Sequence, residues 1–281
     1  MIKRILVGLG SLVYAHTATA KAIELAKSHD AELTGVTLFD TGRLDHTGAV
    51  PIGAGQLAKE LKESRLDDVS GVIAAAEVHF AMACEKAGIT YRIRRETGDP
   101  LAALASLTRY HDLVICGLQS LFEHGVVDEP HDELAILVRE GVRPLLAVSD
   151  KDRPVKRVLI CYSGSMESAK TMRRYVHLRM WPEARLKIVT FDADQAAGQA
   201  RLEDAAEYCR AHGLEIEVEC VANSPKQHLL PYADAWGTDL IVMGNSAKRL
   251  LLRRILGETA LHVMRKATGS WEFTRRVSSL V

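Results

Sequence analysis

The sequence lacks the features of several large protein classes. Its 281 residues hold 36 Lys and Arg against 36 Asp and Glu, so there is no basic excess of the kind that nucleic-acid binding usually leaves. Five cysteines, an odd number with no Cys-x-x-Cys pair, disfavour a disulfide framework and fit a reducing cytosol. No apolar stretch reaches the roughly 18–20 residues that a membrane span needs. We therefore expect a cytoplasmic protein with neither a nucleic-acid nor a membrane partner.

Common signatures of nucleotide and metal enzymes are also missing. There is no G-x-x-x-x-G-K-[ST] loop, and Gly8-Leu9-Gly10 lacks the third glycine of the dinucleotide fingerprint because Val13 stands there. The densest group of possible metal ligands comprises His124, Asp128, Glu129, His131 and Asp132. This group has no recognised zinc spacing, and Pro130 favours a helix start instead. We predict no metal site, and we find no convincing Ser-His-Asp or Cys-His set.

What the sequence does contain is one structural unit present twice. Each copy opens with a basic pair and an apolar strand, Ile5–Leu9 and Val158–Tyr162. A Gly/Ser turn, a helix and a second strand ending in Phe-Asp follow in both copies. Further on, each copy has a long helix ending at a glycine, a third strand, a helix opened by proline, and a strand that begins at Asp112 or Asp239. Because the opening pattern recurs deep inside the chain, we interpret the first apolar run as a strand and not as a signal peptide.

This order of elements predicts the fold. Apolar strands that alternate with helices indicate right-handed crossovers and a parallel sheet covered on both faces. We predict two α/β domains, residues 1–150 and 154–281, each a five-stranded, mostly parallel sheet with helices on both faces. The first copy is longer by a segment around 41–65 that begins as a glycine-containing loop, which we interpret as a surface insertion. For the polar, aromatic end of the second copy, residues 268–281, the sequence leaves an edge strand, an interface tail and a disordered end open.

The repeat resembles the universal stress protein family in its tandem, two-domain form. The resemblance runs from Met1 to about Ala267 and implies Rossmann-like domains of the adenine nucleotide alpha hydrolase type. Its most specific piece is the strand Asp239–Gly244 followed by a basic, leucine-rich segment and a helix. Nucleotide-binding members of the family carry a glycine, two residues, a glycine, nine residues, and a glycine with Ser or Thr. The matching positions here are Gly244, Ala247, Gly257 and Glu258.

The two changed positions indicate a weakened site in the second copy. Glycines at a strand-to-helix turn let backbone N–H groups approach phosphate oxygens closely. Ala247 adds a Cβ at that approach, and Glu258 brings a carboxylate where the family has a hydroxyl, although Thr259 beside it has one. The family's aspartate after the first strand corresponds to Gly10 and Ser163, neither of which supplies a carboxylate. The residues we expect at a site for ATP or another adenine nucleotide are Gly244, Asn245, Lys248, Gly257, Thr259, Ser163 and Ser165.

The first copy departs further from the family pattern. Gly117 keeps only the first glycine of the motif, and the stretch Glu123–Glu133 is acidic without a glycine-plus-hydroxyl pair. We therefore expect the first copy to be a structural partner without a nucleotide. The second copy instead carries basic residues in the corresponding place, which are candidates for steering phosphates: Lys248, Arg249, Arg253 and Arg254.

Three functional hypotheses follow. The resemblance implies a non-catalytic binding or signalling protein of stress physiology, whose domains pair as an intramolecular pseudo-dimer, with a further homodimer and unidentified protein partners left open. The changed fifth strand of the second copy puts its usual pairing edge in doubt. A second hypothesis is a ligand-independent scaffold with both sites degenerate. A third is a slow ATPase or pyrophosphatase using Ser163–Ser168, which loosely resembles the SGGxDS loop of ATP-pyrophosphatase enzymes.

Overall fold

A computed structural model of the chain describes residues 1–10, 12–39, 55–98, 100–117, 144–244 and 278–280. Within these ranges the chain forms ten strands and six helices. The first half contains β1 (Arg4–Gly8), α1 (Leu12–His29), β2 (Glu32–Phe39), α2 (Gly55–Ala87), β3 (Tyr91–Thr97), α3 (Pro100–Thr108), β4 (Leu113–Gly117) and β5 (Leu145–Val148). The second half contains β6 (Arg157–Cys161), α4 (Met166–Leu178), β7 (Arg185–Phe191), α5 (Gln195–Ala211), β8 (Ile216–Val221), α6 (Pro225–Trp236), β9 (Leu240–Met243) and β10 (Ser278–Leu280).

The strands form one sheet in the order β3-β2-β1-β4-β5-β10-β9-β6-β7-β8. Neighbours within each half are parallel, which confirms the two predicted five-stranded parallel sheets. The halves meet through β5 and β10, which pair antiparallel with Ala147 opposite Ser279 and Leu146 opposite Leu280. The two predicted sheets are therefore hydrogen-bonded edge to edge.

The last strand corrects one expectation. The polar end of the second copy put its pairing edge in doubt, yet Ser278–Leu280 is the fifth strand of that copy and pairs with both β5 and β9. Such pairing needs backbone N–H and C=O groups more than apolar side chains, so a weak hydrophobic pattern did not reveal it. In the insertion of the first copy, α2 begins at Gly55, and residues 40–54 lie outside the described part.

Apolar side chains alternate between the two faces of the sheet, as buried parallel strands require. On one face Val7 and Ile160 pack in a cluster with residues of α1, α2, α4 and α5, among them Phe80 and Leu202. On the other face Leu6 packs in a second cluster with residues of α3 and α6. The predicted cover of helices on both faces is thus confirmed.

Polar contacts also join the halves on the face that carries α1. The ammonium group of Lys21 lies 2.9 Å from a carboxylate oxygen of Asp152 and 2.8 Å from Glu24. The indole N–H of Trp181 donates to Glu24 Oε1 over 2.7 Å. The Trp181–Glu24 contact joins α1 to the second half, and the Lys21–Asp152 pair joins it to the segment between the halves, as expected for two copies paired within one chain. Across the described part of the chain, none of the helices has the length and apolar content to cross a membrane.

Candidate functional site

The carboxyl ends of β6 and β9 lie side by side in the second half. β6 pairs with β7 on one side and β9 on the other, with Cys161 in register with Met243. The strand order reverses here, and in open α/β sheets ligands bind in the crevice at such a switch point. Ser163-Gly164-Ser165 follows β6 and Gly244 follows β9. The structure therefore brings together the three predicted site residues that it describes, Ser163, Ser165 and Gly244.

Three serines organise the start of α4. Ser165 is the N-cap residue, and its hydroxyl accepts from the Ser168 N–H over 3.2 Å, which satisfies a donor that the first helical turn leaves free. The Ser163 hydroxyl donates to Ser165 Oγ over 3.0 Å, and the Ser168 hydroxyl donates to the Ser165 carbonyl over 2.8 Å. Ser168 is buried, whereas Ser163 is exposed. The positive end of the helix therefore presents hydroxyl groups toward solvent at the crevice.

Gly244 lies directly against this helical turn. A Cβ at position 244 would lie 2.7 Å from the Glu167 carbonyl oxygen and 2.8 Å from Ser168 Cα. Both are backbone atoms, so no side-chain rotation would relieve the overlap. Glycine at 244 is thus required for the close packing of β9 against α4, whether or not a ligand binds. The same packing places the backbone of Gly244, which follows β9, beside the N-terminus of α4.

An ion pair covers the turn between β6 and α4. Gly164 has a φ of +74°, and a Cβ there would lie 2.6 Å from Cδ of Arg201, whose side chain crosses the turn. The guanidinium group of Arg201 donates to the Asp192 carboxylate at the end of β7. That hydrogen bond, together with one from the Asp194 N–H, holds the pKa of Asp192 below its usual value. Arg201 therefore places a cation beside the turn.

Gly198 on α5 accounts for the position of Arg201. A Cβ at 198 would overlap Cys220 Sγ and lie 3.4 Å from Asp192 Cβ, so this glycine lets α5 approach the ends of β7 and β8. Arg201 follows three residues later and therefore lies on the same side of the helix. The sequence pattern did not reveal the Arg201–Asp192 pair, because its only local signal is the Phe-Asp end of β7.

Several predicted site residues lie outside the described residues. These are Asn245, Lys248, Gly257 and Thr259, together with the changed positions Ala247 and Glu258 and the basic residues up to Arg254. The predicted acidic stretch Glu123–Glu133, with its His124 and His131, also lies outside them. Among the residues that are described, no group of three or more His, Cys, Asp or Glu side chains could hold a metal ion.

The buried thiols of Cys84 and Cys116 are not activated nucleophiles. All five cysteines are free. Burial raises the pKa of the Cys84 and Cys116 thiols to about 12, so both remain protonated at neutral pH. Such thiols behave as small buried hydrophobic groups.

A second concave region lies between α1, α2 and the segment after β5, and the sequence did not reveal it. Its volume is about 780 Å³, and its lining residues include His16, Thr19, His79 and Asp150. The imidazoles of His16 and His79 stack with their centroids 3.5 Å apart and their planes 21° apart. Burial and the neighbouring His16 lower the pKa of His79. A stacked pair of imidazoles is therefore the chemical feature of this groove.

Comparisons with known proteins agree on one family. The model of the universal stress protein family matches residues 1–121 and 180–270. A universal stress protein of Synechocystis sp. is 22% identical over 187 residues, which are 66% of this chain and 65% of that protein. The chain thus spans about 65% of the length of this curated relative.

Solved structures share the fold. A universal stress protein from Archaeoglobus fulgidus aligns with a TM-score of 0.63 and 19% identity, over 99% of this chain and 97% of its own. A functionally unknown protein from Pseudomonas aeruginosa PAO1 aligns with a TM-score of 0.59 and 16% identity, over 100% of this chain and 92% of its own. These identities support the fold alone, whereas the family model covers more than half of the chain in two separate regions. This chain therefore belongs to the universal stress protein family and carries its domain in tandem.

Proposed function

We propose that this chain is a non-catalytic binding or signalling protein of stress physiology whose second half keeps a weakened site for an adenine nucleotide or another phosphate-bearing anion. The observation that carries the proposal is the meeting of Gly244 with the serine-capped N-terminus of α4 at the strand switch point. We propose domain boundaries at residues 1–150 and 154–281, and a cytoplasmic location. We infer an adenine nucleotide as the ligand because the resemblance to nucleotide-binding members of the family implies it for these residues.

The groups around the crevice favour a weakly bound anion. Helix N-termini carry partial positive charge and free N–H donors, and Ser163 and Ser165 add hydroxyl donors. Against this, Glu167 lies in the first turn of α4, although Lys170 pairs with it at 3.0 Å. Arg201 is engaged by Asp192, so part of the local positive charge is already neutralised. These opposing charges predict an affinity well below that of a dedicated nucleotide site.

The serine geometry favours binding without turnover. A serine nucleophile needs an adjacent general base within hydrogen-bond reach. In the described contacts, the hydroxyls of Ser163, Ser165 and Ser168 bond to one another and to the backbone, not to a histidine or a carboxylate. We therefore favour simple nucleotide binding over ATP hydrolysis by this loop.

Calorimetric titration of the purified protein with ATP, ADP, AMP and cyclic nucleotides tests the proposal. We expect heat with a dissociation constant between about 0.1 and 1 mM, or about 4–5 kcal/mol of binding free energy. Ser165→Ala removes the N-cap hydroxyl and should weaken binding several-fold. Ser28→Ala is the matched control, since that exposed serine of α1 donates to the Glu24 carbonyl at 3.0 Å, away from the crevice. No heat with any nucleotide at millimolar concentration would contradict the proposal.

Two variants separate the alternatives. If the chain is a ligand-independent scaffold, wild type binds no ATP, and Ala247→Gly with Glu258→Ser should create binding by restoring the family pattern. If the chain hydrolyses ATP slowly, phosphate release should disappear in Ser163→Ala and Ser165→Ala. Phosphate release that survives both changes would exclude this loop as the catalytic group.

A further inference from the structure

The two outer strands of the sheet carry opposite charges. Among the described residues, β3 and β8 each pair with a neighbour on one side only. Arg92 and Arg94 on β3 are exposed, and Glu217 and Glu219 on β8 are exposed. Arg94 is in register with Val36, and Glu219 with Val189. Both valines belong to the same core cluster, so the arginines and the glutamates lie on the same face of the sheet.

These edge residues pair with opposite charges on the neighbouring strand in each half. In the first half, Glu32 lies between Arg4, 2.6 Å away, and Arg92, 2.9 Å away. The series from the inside to the edge is therefore positive, negative, positive. In the second half Arg185 lies 2.6 Å from Glu217, and Lys187 lies 3.2 Å from Glu219. That series ends at the edge on a negative charge.

We propose that the β3 edge of one molecule docks on the β8 edge of a second copy of this chain, so that the sheet continues head to tail. β5 and β10 are antiparallel, hence β3 and β8 run in opposite directions. Extending the sheet places β3 of the next copy antiparallel to β8. At the join, the arginines of β3 then face the glutamates of β8.

One favourable register gives four complementary central pairs and places a single like-charge pair, Glu96 opposite Glu215, at its end. With Arg94 opposite Glu217, an antiparallel pairing puts Arg92 opposite Glu219 and Ile93 opposite Val218. The next pair is Tyr91 opposite Cys220, and these four apolar side chains lie on the other face of the strands. Directly opposed residues of opposite charge, and directly opposed apolar residues, are the pairs that stabilise adjacent strands.

Symmetric pairings of the same edges about their central residues, Ile93 and Val218, are disfavoured. Two β3 strands paired about Ile93 place Arg92 of one copy opposite Arg94 of the other. Two β8 strands paired about Val218 place Glu217 opposite Glu219. Directly opposed like charges destabilise strand pairs. The edge charges thus oppose these symmetric pairings and permit the head-to-tail contact. A head-to-tail contact builds open chains of molecules unless its rotation closes a ring.

Sedimentation velocity over a range of protein concentrations tests the proposal. We expect the weight-average sedimentation coefficient to rise with concentration at about 20 mM salt and to approach the monomer value at about 500 mM. The reason is that the screening length falls from about 20 Å to about 4 Å over this range. A protein that sediments as one species at every concentration and both salt levels overturns the proposal.

Charge reversal gives the decisive variants. Arg92→Glu with Arg94→Glu makes both edges negative, and Glu217→Arg with Glu219→Arg makes both positive. Each variant alone should self-associate with an affinity about tenfold or more below that of the wild type. An equimolar mixture of the two variants should regain association. Lys151→Glu with Arg153→Glu is the matched control, because these exposed residues lie between the halves and should leave association unchanged. Circular dichroism confirms that each variant is folded. Association that survives either reversal, or a mixture of folded variants that does not associate, contradicts the contact.

Discussion

Adding a single methyl group at position 244 tests how tightly β9 packs against α4. The new Cβ would lie 2.7 Å from the Glu167 carbonyl oxygen and 2.8 Å from Ser168 Cα. An ordinary contact begins at 3.4 Å, so α4 must move by roughly 0.6–0.7 Å relative to β9. Because all the opposing atoms are backbone, the helix has to shift as a unit.

The expected cost follows from overpacking. Extra methyl groups in a packed interior typically cost about 1–3 kcal/mol, and we expect Gly244→Ala to lower the free energy of unfolding within that range. Gly71 is the matched control, since it lies inside α2 and, in the described part of the chain, no atom beyond its own helical turns lies within 4 Å of a Cβ. Replacing a helical glycine by alanine gains about 0.5–1 kcal/mol, so Gly71→Ala should stabilise the protein.

Urea denaturation of the wild type and the two variants measures the difference. The account predicts midpoints that move in opposite directions, down for Gly244→Ala and up for Gly71→Ala. It also predicts weaker nucleotide binding in Gly244→Ala, because the shift moves the N-terminus of α4. A Gly244→Ala protein within about 0.5 kcal/mol of wild type would refute the close approach of β9 and α4.

Three further predictions concern other contacts. Asp192→Asn should free Arg201 for an anionic ligand and raise ATP affinity about threefold or more, or about 0.7 kcal/mol; unchanged heat curves would contradict this. Burial lowers the pKa of His79 below its usual value of 6.5. Its contribution to stability is therefore complete above about pH 6.5 and decreases as the pH falls. Urea midpoints at pH 7.5 and 5.5 should differ less in His79→Gln, and an unchanged difference would exclude the imidazole stack as a cause. Trp181→Phe removes the donor to Glu24 and should cost about 1 kcal/mol in unfolding free energy; an equal or higher midpoint would show that this contact does not stabilise the pair of halves.

The sheet could be predicted from the sequence because buried parallel strands appear as short apolar runs. The apolar runs at Ile5–Leu9 and Val158–Tyr162 fall within one residue of β1 and β6. The turn before α4 was also predictable, since glycine and serine after a strand favour a bend. Ser163 and Ser165 lie in this predicted turn, and their role in binding stays a prediction.

Contacts between elements that are far apart in the sequence could not be predicted in this way. Arg201 reaches Gly164 and Asp192 only because Gly198 lets α5 approach the sheet, and no local pattern encodes that approach. His16 and His79 stack across two helices whose packing the sequence does not specify. The three-residue strand β10 could not be predicted from hydrophobic periodicity, which depends on side chains alone. β10 is held in the sheet by backbone pairing with β5 and β9.

The most direct test of a site confined to the second half is a titration of ATP into ¹⁵N-labelled protein, followed by amide chemical shifts. The account predicts progressive shifts at Ser165, Ser168 and Gly244, with the corresponding ends of β1 and β4, Gly10 and Gly117, unchanged. Amides of Ser165, Ser168 and Gly244 that stay fixed at millimolar ATP, or shifts of equal size at Gly10 and Gly117, would contradict it.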